Sequence, residues 1–118
     1  MSAVIYSATD VTRDAEASFQ KSCEKAASLF QKACDGGEMT GCTYLGEAYE
    51  SGTGVTLDAP KAVSLFQKVC DGGDMMDCRF LAGAYENGTG VPRDATQAAA
   101  LYKKACDGGD AEACSHIK

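Results

Sequence analysis

The chain has 118 residues, of which 45% are hydrophobic, and its formal net charge is −6. A chain of this length fits a single domain, and its acidic charge excludes the cationic surface that binding to nucleic-acid phosphates requires. Its apolar runs are only a few residues long, so we expect no insertion into a membrane.

The first predicted element is a long helix over about residues 14–33. It follows VTRDA at 11–15, which copies VPRDA at 91–95, so we expect the chain to open in a loop that precedes this helix. FQKSC at 19–23 is echoed by FQKAC at 30–34. Because eleven residues is about three helical turns, both copies are expected to face the same way.

After this helix the sequence repeats with a period of 36. Residues 35–70 align with 71–106 without a gap, and 19 of the 36 positions are identical. Self-similarity at such a period is typical of a solenoid, in which each unit buries its apolar face only against its neighbours. The chain is therefore predicted to be one domain of two complete repeats, with a partial repeat at 1–34 and a closing partial repeat at 107–118.

The first helix of each repeat is predicted over about residues 38–50 and again over 74–86. Cys42 and Leu45 fall at helical spacing on its apolar face. Gly52 then ends the helix, because glycine accepts the left-handed backbone conformation found at helix ends.

The second helix of each repeat follows a Gly-Thr-Gly-Val loop. Asp58 and Asp94 are good N-caps for these helices. An Asp-Gly-Gly turn closes each helix and returns the chain antiparallel, and a short final helix brings the expected number to six. The apolar stripes of the second helices consist of Ala62, Leu65, Phe66 and Val69 in one repeat and of Ala98, Leu101, Tyr102 and Ala105 in the next.

These residues resemble Sel1-like repeats, which are relatives of the tetratricopeptide repeat. The resemblance is carried by the Leu45-Gly46-x-x-Tyr49 helix, the G-x-G-V loop and the K-A-x-x-L-F/Y-x-K-A/V-C helix, and it covers the chain from about residue 14. Cysteines eight residues apart resemble the branch of Helicobacter cysteine-rich proteins. The resemblance implies an all-α fold, a right-handed α-solenoid of antiparallel helix hairpins with a disulfide inside each repeat.

Six of the seven cysteines form three pairs of this kind. We predict the disulfides Cys34–Cys42, Cys70–Cys78 and Cys106–Cys114, as the resemblance implies. A tight turn between two helices also brings such positions within the Cα distance of about 7 Å that bridging needs. Reduced cysteines that fill a helix interface are the alternative. A metal site is not expected, because the chain lacks a closely spaced cysteine pair and has a single histidine.

Disulfides persist in oxidising compartments, so we expect a periplasmic or secreted protein. Residues 1–10 lack the basic start and the apolar stretch of a signal peptide, and export therefore implies that a signal has been removed. If the cysteines are reduced, a cytoplasmic location is expected instead.

Cys23 is the unpaired cysteine, and its FQKxC setting matches that of Cys34. We expect it to be a buried, small apolar residue with a free thiol, and a dimer joined through Cys23 is the alternative. A catalytic thiol would need a histidine partner. His116 aligns with Tyr44 and Phe80, which are expected to be core positions, so core filling is favoured over catalysis.

Relatives in the cysteine-rich branch have been called penicillin-binding proteins or β-lactamases. SFQK at 18–21 and SCEK at 22–25 satisfy the S-x-x-K pattern of serine β-lactamases, but the S-D-N and K-T-G motifs are absent. We therefore predict no catalytic residue and no cofactor, and a penicillin-binding or β-lactamase-like enzyme remains the alternative.

The repeat array instead predicts a scaffold that binds a protein or peptide on its concave surface, which the first helices line. The acidic charge favours a basic partner. A toxin inhibitor or immunity protein, a use that some Sel1-like proteins have, is a further alternative. The candidate partner-binding residues differ between repeats and are expected to face outward: Thr40, Thr43, Glu47 and Glu50 in one repeat, and Met76, Arg79, Gly83 and Glu86 in the next.

Overall fold

A computed structural model of the chain describes the backbone of residues 8–117 and the side chains of residues 18–117. Six α-helices follow one another, and no strand is found in this part of the chain. They are α1 (Ala8–Asp35), α2 (Met39–Ser51), α3 (Ala59–Asp71), α4 (Met75–Asn87), α5 (Ala95–Asp107) and α6 (Ala111–Cys114). The predicted all-α fold and the number of helices are confirmed. The signal-peptide prediction concerns residues 1–10, most of which lie outside the described range.

Each helix packs mainly against the helices that precede and follow it along the chain, which gives an elongated molecule of 69 × 33 × 25 Å. Its buried apolar residues form two clusters rather than one centre. One cluster joins Cys34, Cys42, Leu45 and Val69, and the other surrounds Phe66, Leu81 and Tyr102. This stacking of hairpins is the predicted solenoid, in which each unit is stabilised by its neighbours.

Helix ends follow local signals in the sequence. The Asp58 and Asp94 carboxylates accept hydrogen bonds from the backbone N–H groups of Lys61 and Gln97, at 3.1 and 3.0 Å. These are the expected N-caps of α3 and α5. Gly52 ends α2 with φ 72°, in the left-handed region where a side chain is strained.

The start of α1 differs from the prediction. The helix begins at Ala8, so the backbone at residues 11–15 is helical and the predicted loop there is wrong. The physical reason lies in one position of the two copies. The loop at 91–95 contains Pro92, which disfavours helical conformation in the residue before it. Thr12 stands at that position in the first copy and imposes no such restriction.

Three disulfides join the helices of successive hairpins. The bridged pairs are Cys34–Cys42, Cys70–Cys78 and Cys106–Cys114, with Cα–Cα distances of 4.5, 4.7 and 4.7 Å. Each bridge spans an Asp-Gly-Gly turn whose second glycine has positive φ, for example 104° at Gly73. The bridge and the glycine turn thus occur together, because the chain reverses direction within a few residues at each of these points.

Candidate binding grooves

Two grooves open along the same face of α2 and α4, and their other walls differ: α1 forms that wall in one groove and α5 in the other. The α1–α2 groove has a volume of about 250 Å³ and is lined by Cys23, Ala26, Ala27, Phe30, Tyr44, Glu47, Ala48, Ser51 and Thr53. The α4–α5 groove has a volume of about 350 Å³ and is lined by Glu50, Arg79, Phe80, Gly83, Ala84, Asn87, Thr89, Tyr102 and His116. A shift of 36 residues superposes the helix positions of Tyr44, Glu47, Ala48 and Ser51 on those of Phe80, Gly83, Ala84 and Asn87.

The helical period explains why these four positions line one groove. Residues at i, i+3, i+4 and i+7 lie on one face of a helix, and in α2 this face is adjacent to the face that carries buried Cys42 and Leu45. The Tyr44 ring is stacked on the Phe30 ring of α1, with 5.2 Å between ring centroids. Because 48% of Tyr44 remains exposed, its ring is available for contact in the α1–α2 groove.

The α4–α5 groove contains a cation that the protein itself holds in place. Arg79 Nε donates to Asp110 Oδ2 at 3.1 Å, and its Nη1 lies 3.3 Å from Glu112 Oε2. The guanidinium carbon lies 5.1 Å from the centroid of the Phe80 ring, which is a cation–π distance. Burial alone would raise the pKa of Asp110. Hydrogen bonds from the Ala113 N–H and from Arg79 together outweigh this effect, so the pKa of Asp110 is below its usual value.

The opposite wall of the α4–α5 groove is aromatic. The rings of Tyr102 and His116 are stacked with 4.3 Å between centroids. Burial, followed by the nearby Glu86 carboxylate, raises the pKa of Tyr102, so its hydroxyl stays protonated and can donate a hydrogen bond near neutral pH.

The α1–α2 groove carries negative charge. Burial and the neighbouring Glu50 carboxylate raise the pKa of Glu47. Close by, Asp77 is fully buried, and burial raises its pKa to about 6, assisted by the charges of Asp74 and Glu47 and opposed by a hydrogen bond from Thr43. Both shifts reflect carboxylates that lie near each other and partly away from water.

The predicted partner-binding residues fall into three groups. Glu47 lines the α1–α2 groove, and Glu50, Arg79 and Gly83 line the α4–α5 groove. Outside both groove linings, the exposed residues of the set are Thr40, Met76 and Glu86.

The expectation that Thr43 faces outward is wrong. Its side chain is only 4% exposed, because its hydroxyl is turned into the interface between repeats and lies 2.9 Å from Asp77 Oδ2. Neither Asp77 nor its place in this interface was predicted, since position 77 aligns with Gly41 and no repeated pattern marks it.

The expectation that Tyr44, Phe80 and His116 are core residues is also wrong in part. Phe80 is half-buried, but Tyr44 and His116 are exposed. These three residues occupy one recurring position of the repeat. This position instead lines the grooves: Tyr44 lines the α1–α2 groove, and Phe80 and His116 line the α4–α5 groove.

Cys23 has no disulfide partner and is partly buried rather than fully buried. It lies in the lining of the α1–α2 groove. Ser18 and Ser22, the serines of the two S-x-x-K patterns, are exposed on α1 and line neither groove.

The described residues contain neither a membrane-spanning helix nor a metal-binding cluster. No helix there is both long enough and apolar enough to cross a bilayer. Within the same residues, no three His, Cys, Asp or Glu side chains are grouped in a way that could hold a metal ion.

Comparison with known proteins places these features in a family. The model of the Sel1 repeat matches residues 8–38, 40–74 and 77–110. A segment of 34 residues is 56% identical to the Helicobacter pylori protein named "Putative beta-lactamase HcpE". This segment is 29% of the chain and 10% of HcpE, so the comparison concerns a small part of that protein.

Solved structures show the same fold. The cysteine-rich protein B (HcpB) of H. pylori aligns with 94% of this chain and 98% of its own, at 26% identity and a TM-score of 0.72. A Sel1 repeat protein from Oxalobacter formigenes aligns with 80% of this chain and 38% of its own, at 29% identity and a TM-score of 0.75.

A third structure is the protective antigen c5321 of uropathogenic Escherichia coli, described as an SLR fold. It aligns with 80% of this chain and 23% of its own, at 26% identity and a TM-score of 0.70. The chain thus spans well under half of the length of two of these three proteins. Since three copies of the family's repeat together cover most of its length, the protein belongs to the Sel1 repeat family.

Proposed function

We propose that the protein is a scaffold that binds a protein or peptide through its two grooves. The observation that carries this proposal is the recurrence of a groove on the same face of α2 and α4. Each groove combines aromatic rings, small residues (alanine or glycine) and polar side chains. This mixture of apolar floor and polar rim is typical of surfaces that bind partners, and stacked hairpins commonly present such surfaces to peptides.

The lining of the grooves supports binding better than catalysis. A β-lactam hydrolase would need an activated serine beside a substrate pocket. Ser18 and Ser22 are exposed on α1 and belong to neither groove lining. The match to HcpE covers only 34 residues, and the sequence contains neither the S-D-N nor the K-T-G motif of serine β-lactamases. Nitrocefin turnover that disappears in Ser18→Ala or Ser22→Ala would reverse this order of preference.

We also propose that the protein works in the periplasm or outside the cell. Three closed disulfides support this location, because such bridges persist in oxidising compartments. The test is to alkylate free thiols in intact cells and then measure the mass of the protein. A single modified cysteine is expected, whereas seven modified cysteines would contradict an exported location.

Selection of peptides from a phage-displayed random library tests the proposed binding function. Ser51→Trp and Asn87→Trp place a large ring at the rim of each groove, and Ser64→Trp is the matched control at an exposed position of α3. We expect enriched peptides whose binding is weakened about tenfold or more by the groove variants, and not by the control. The proposal fails if no peptide is enriched, or if the three variants bind the selected peptides equally.

A further inference from the structure

The second repeat provides its own cation at a position where the first repeat has none. Arg79 lies over the Phe80 ring and is paired with Asp110 and Glu112. A shift of 36 residues places Thr43 and Tyr44 at the positions of Arg79 and Phe80. Thr43 cannot supply a charge, and its hydroxyl is directed to Asp77 inside the repeat interface.

The aromatic ring and the Glu47 carboxylate of the α1–α2 groove are therefore left without a cation. Among the side chains that the structure describes, no lysine or arginine lies over the Tyr44 ring. In the same part of the chain, neither Glu47 nor Glu50 is within salt-bridge distance of a cation. Glu47 is partly buried, and the charge of Glu50 acts on it from one turn away along the same helix.

Such a site favours a positively charged occupant for two independent reasons. A cation over the exposed face of Tyr44 would be attracted by the ring quadrupole, as Arg79 is by Phe80. A cation beside Glu47 would also relieve the repulsion between Glu47 and Glu50. The small side chains of Ala26 and Ala27 on α1 leave room for the apolar stem of a long side chain, whose charged end can then reach the rim.

We propose that the α1–α2 groove takes a lysine or arginine side chain of a bound peptide, which lies over the Tyr44 ring and pairs with the Glu47 carboxylate. This proposal rests on the proposed function, because it names the chemistry of the partner that one of the two grooves recognises. The α4–α5 groove is not expected to share this preference, since Gly83 replaces Glu47 there and Arg79 already fills the cation position.

The experiment compares two blocked pentapeptides that differ only in the central side chain. One has arginine at its centre and alanine elsewhere, and the other has citrulline, a neutral analogue of arginine, at its centre. Binding is followed by NMR of the ¹⁵N-labelled protein up to about 10 mM peptide, because a ligand of this size is expected to bind weakly. We expect the arginine peptide to shift the amide signals of Tyr44, Glu47 and Ser51, and the citrulline peptide to bind about tenfold more weakly.

Variants locate the interaction. Glu47→Gln and Tyr44→Leu are each expected to weaken binding of the arginine peptide about fivefold to tenfold. Glu38→Gln removes the same charge from an exposed residue that precedes α2, and Phe80→Leu makes the corresponding aromatic change in the other groove. Both controls are expected to bind as the parent protein does, and the ¹⁵N spectra show whether each variant keeps the fold.

Failure of this proposal can be distinguished from failure of the proposed function. If the citrulline peptide binds the α1–α2 groove as tightly as the arginine peptide, recognition of a cation is overturned while peptide binding stands. If neither pentapeptide shifts the groove signals, recognition of a cation is overturned as well, and the library selection alone decides whether the grooves bind peptides. Shifts confined to Phe80 and Asn87 would assign the cation to the wrong groove and would also overturn the proposal.

Discussion

Two interfaces of the molecule use the same repeat position for different chemistry. The first interface lies between the first and second repeats, and the second interface lies between the second repeat and α6. In the first interface, Thr43 is hydrogen-bonded to the fully buried Asp77. In the second interface, Arg79 is paired with Asp110 and Glu112, which are partly or largely exposed. The contrast teaches that a solenoid fixes the apolar positions of its repeat and leaves the polar contacts between units free to vary.

The hydrogen bonds of Thr43 show how the first interface accommodates a neutral carboxyl group. The Thr43 hydroxyl lies 2.9 and 3.0 Å from the two carboxyl oxygens of Asp77 and 3.3 Å from the carbonyl oxygen of Met39. When Asp77 is protonated, its O–H can donate to Thr43 while Thr43 donates to Met39. When Asp77 is ionised, Thr43 donates to the carboxylate, but the charge remains buried, which is costly.

The largest expected effect is the pH dependence of the first interface. Burial raises the pKa of Asp77 from 3.8 to about 6, so the folded state binds this proton more tightly than the unfolded state does. The stabilisation that the folded state gains from binding a proton at Asp77 is therefore fully present below pH 3.8 and is lost as pH rises through 6. A shift of about two units corresponds to a contribution of roughly 3 kcal/mol to the free energy of unfolding.

Urea unfolding of the parent protein and of Asp77→Asn between pH 4 and 7 measures this contribution. Other carboxylates titrate in both proteins, so the difference between the two curves isolates Asp77. We expect the parent protein to lose stability relative to the variant as pH rises. Parallel curves would show that Asp77 is not titrating in this range.

The second largest effect is the loss of the disulfide beside each interface. On the chain-entropy model, a bridge that closes a loop of about nine residues contributes roughly 2.5 kcal/mol. Removal of the Cys70–Cys78 bridge with alanines should cost about this much and should also flatten the pH dependence, because Asp77 precedes Cys78 at the start of α4. Removal of the Cys106–Cys114 bridge is the matched control.

That control variant should lose a similar amount of stability and keep the pH dependence. Mass spectrometry of the unreduced variants confirms that the remaining bridges are closed before unfolding is measured. If both variants flatten the pH dependence equally, the Cys70–Cys78 bridge does not influence the pKa of Asp77 by holding the start of α4 in place.

The third effect separates the hydroxyl group of Thr43 from its volume. Thr43→Val keeps the shape of the side chain and removes the donor to Asp77. A buried carboxylate without this hydrogen bond should cost about 2 kcal/mol at pH 7, measured by urea unfolding. Thr56→Val, at an exposed loop position, is the control and should change stability by less than about 0.5 kcal/mol. If the two variants change the free energy of unfolding equally, the hydrogen bond from Thr43 to Asp77 does not contribute to stability.

The sequence predicted the scaffold far better than the polar contacts on it. Helices and turns were predictable because Asp58, Gly52 and the paired cysteines act locally and recur in register. Thr43 and Asp77 could not be predicted in the same way, because their contact joins residues 34 positions apart that do not recur in both repeats. The comparison of repeats identifies positions that vary, but only the stacking of the repeats, which brings Thr43 of α2 against Asp77 of α4, decides which of them are buried.

Tyr44 illustrates the same limit for the grooves. An aromatic residue at a recurring position favours a core assignment, and for the half-buried Phe80 this is partly correct. Tyr44 occupies the equivalent position but is 48% exposed. Phe80 is packed near Phe66, with 5.4 Å between ring centroids, and lies under the Arg79 guanidinium, whereas the Tyr44 ring is stacked on Phe30. Exposure at this position therefore depends on neighbours that differ between the repeats.

The smallest effect concerns the second interface and has the opposite dependence on pH. Arg79→Met keeps most of the apolar stem and removes the ion pairs with Asp110 and Glu112. Because these groups are partly exposed, the cost at pH 7 should be only about 0.5–1 kcal/mol, and it should shrink at high salt. Despite the opposing effect of burial, hydrogen bonds from Ala113 N–H and Arg79 hold the pKa of Asp110 below its usual value. Its contribution is therefore present at neutral pH and is lost as pH falls through that lowered pKa.

Urea unfolding of the parent protein and of Arg79→Met at pH 7 and pH 3 measures this difference. We expect the difference between the two proteins to be smaller at pH 3 than at pH 7, whereas the parent protein and Asp77→Asn should converge at the acidic end and diverge as pH rises. A gap between the parent protein and Arg79→Met that is as wide at pH 3 as at pH 7 would mean that Arg79 stabilises the protein through contacts that do not depend on the charges of Asp110 and Glu112. In that case the two interfaces would differ in their polar contacts, but they would not make opposite contributions to the pH dependence of the free energy of unfolding.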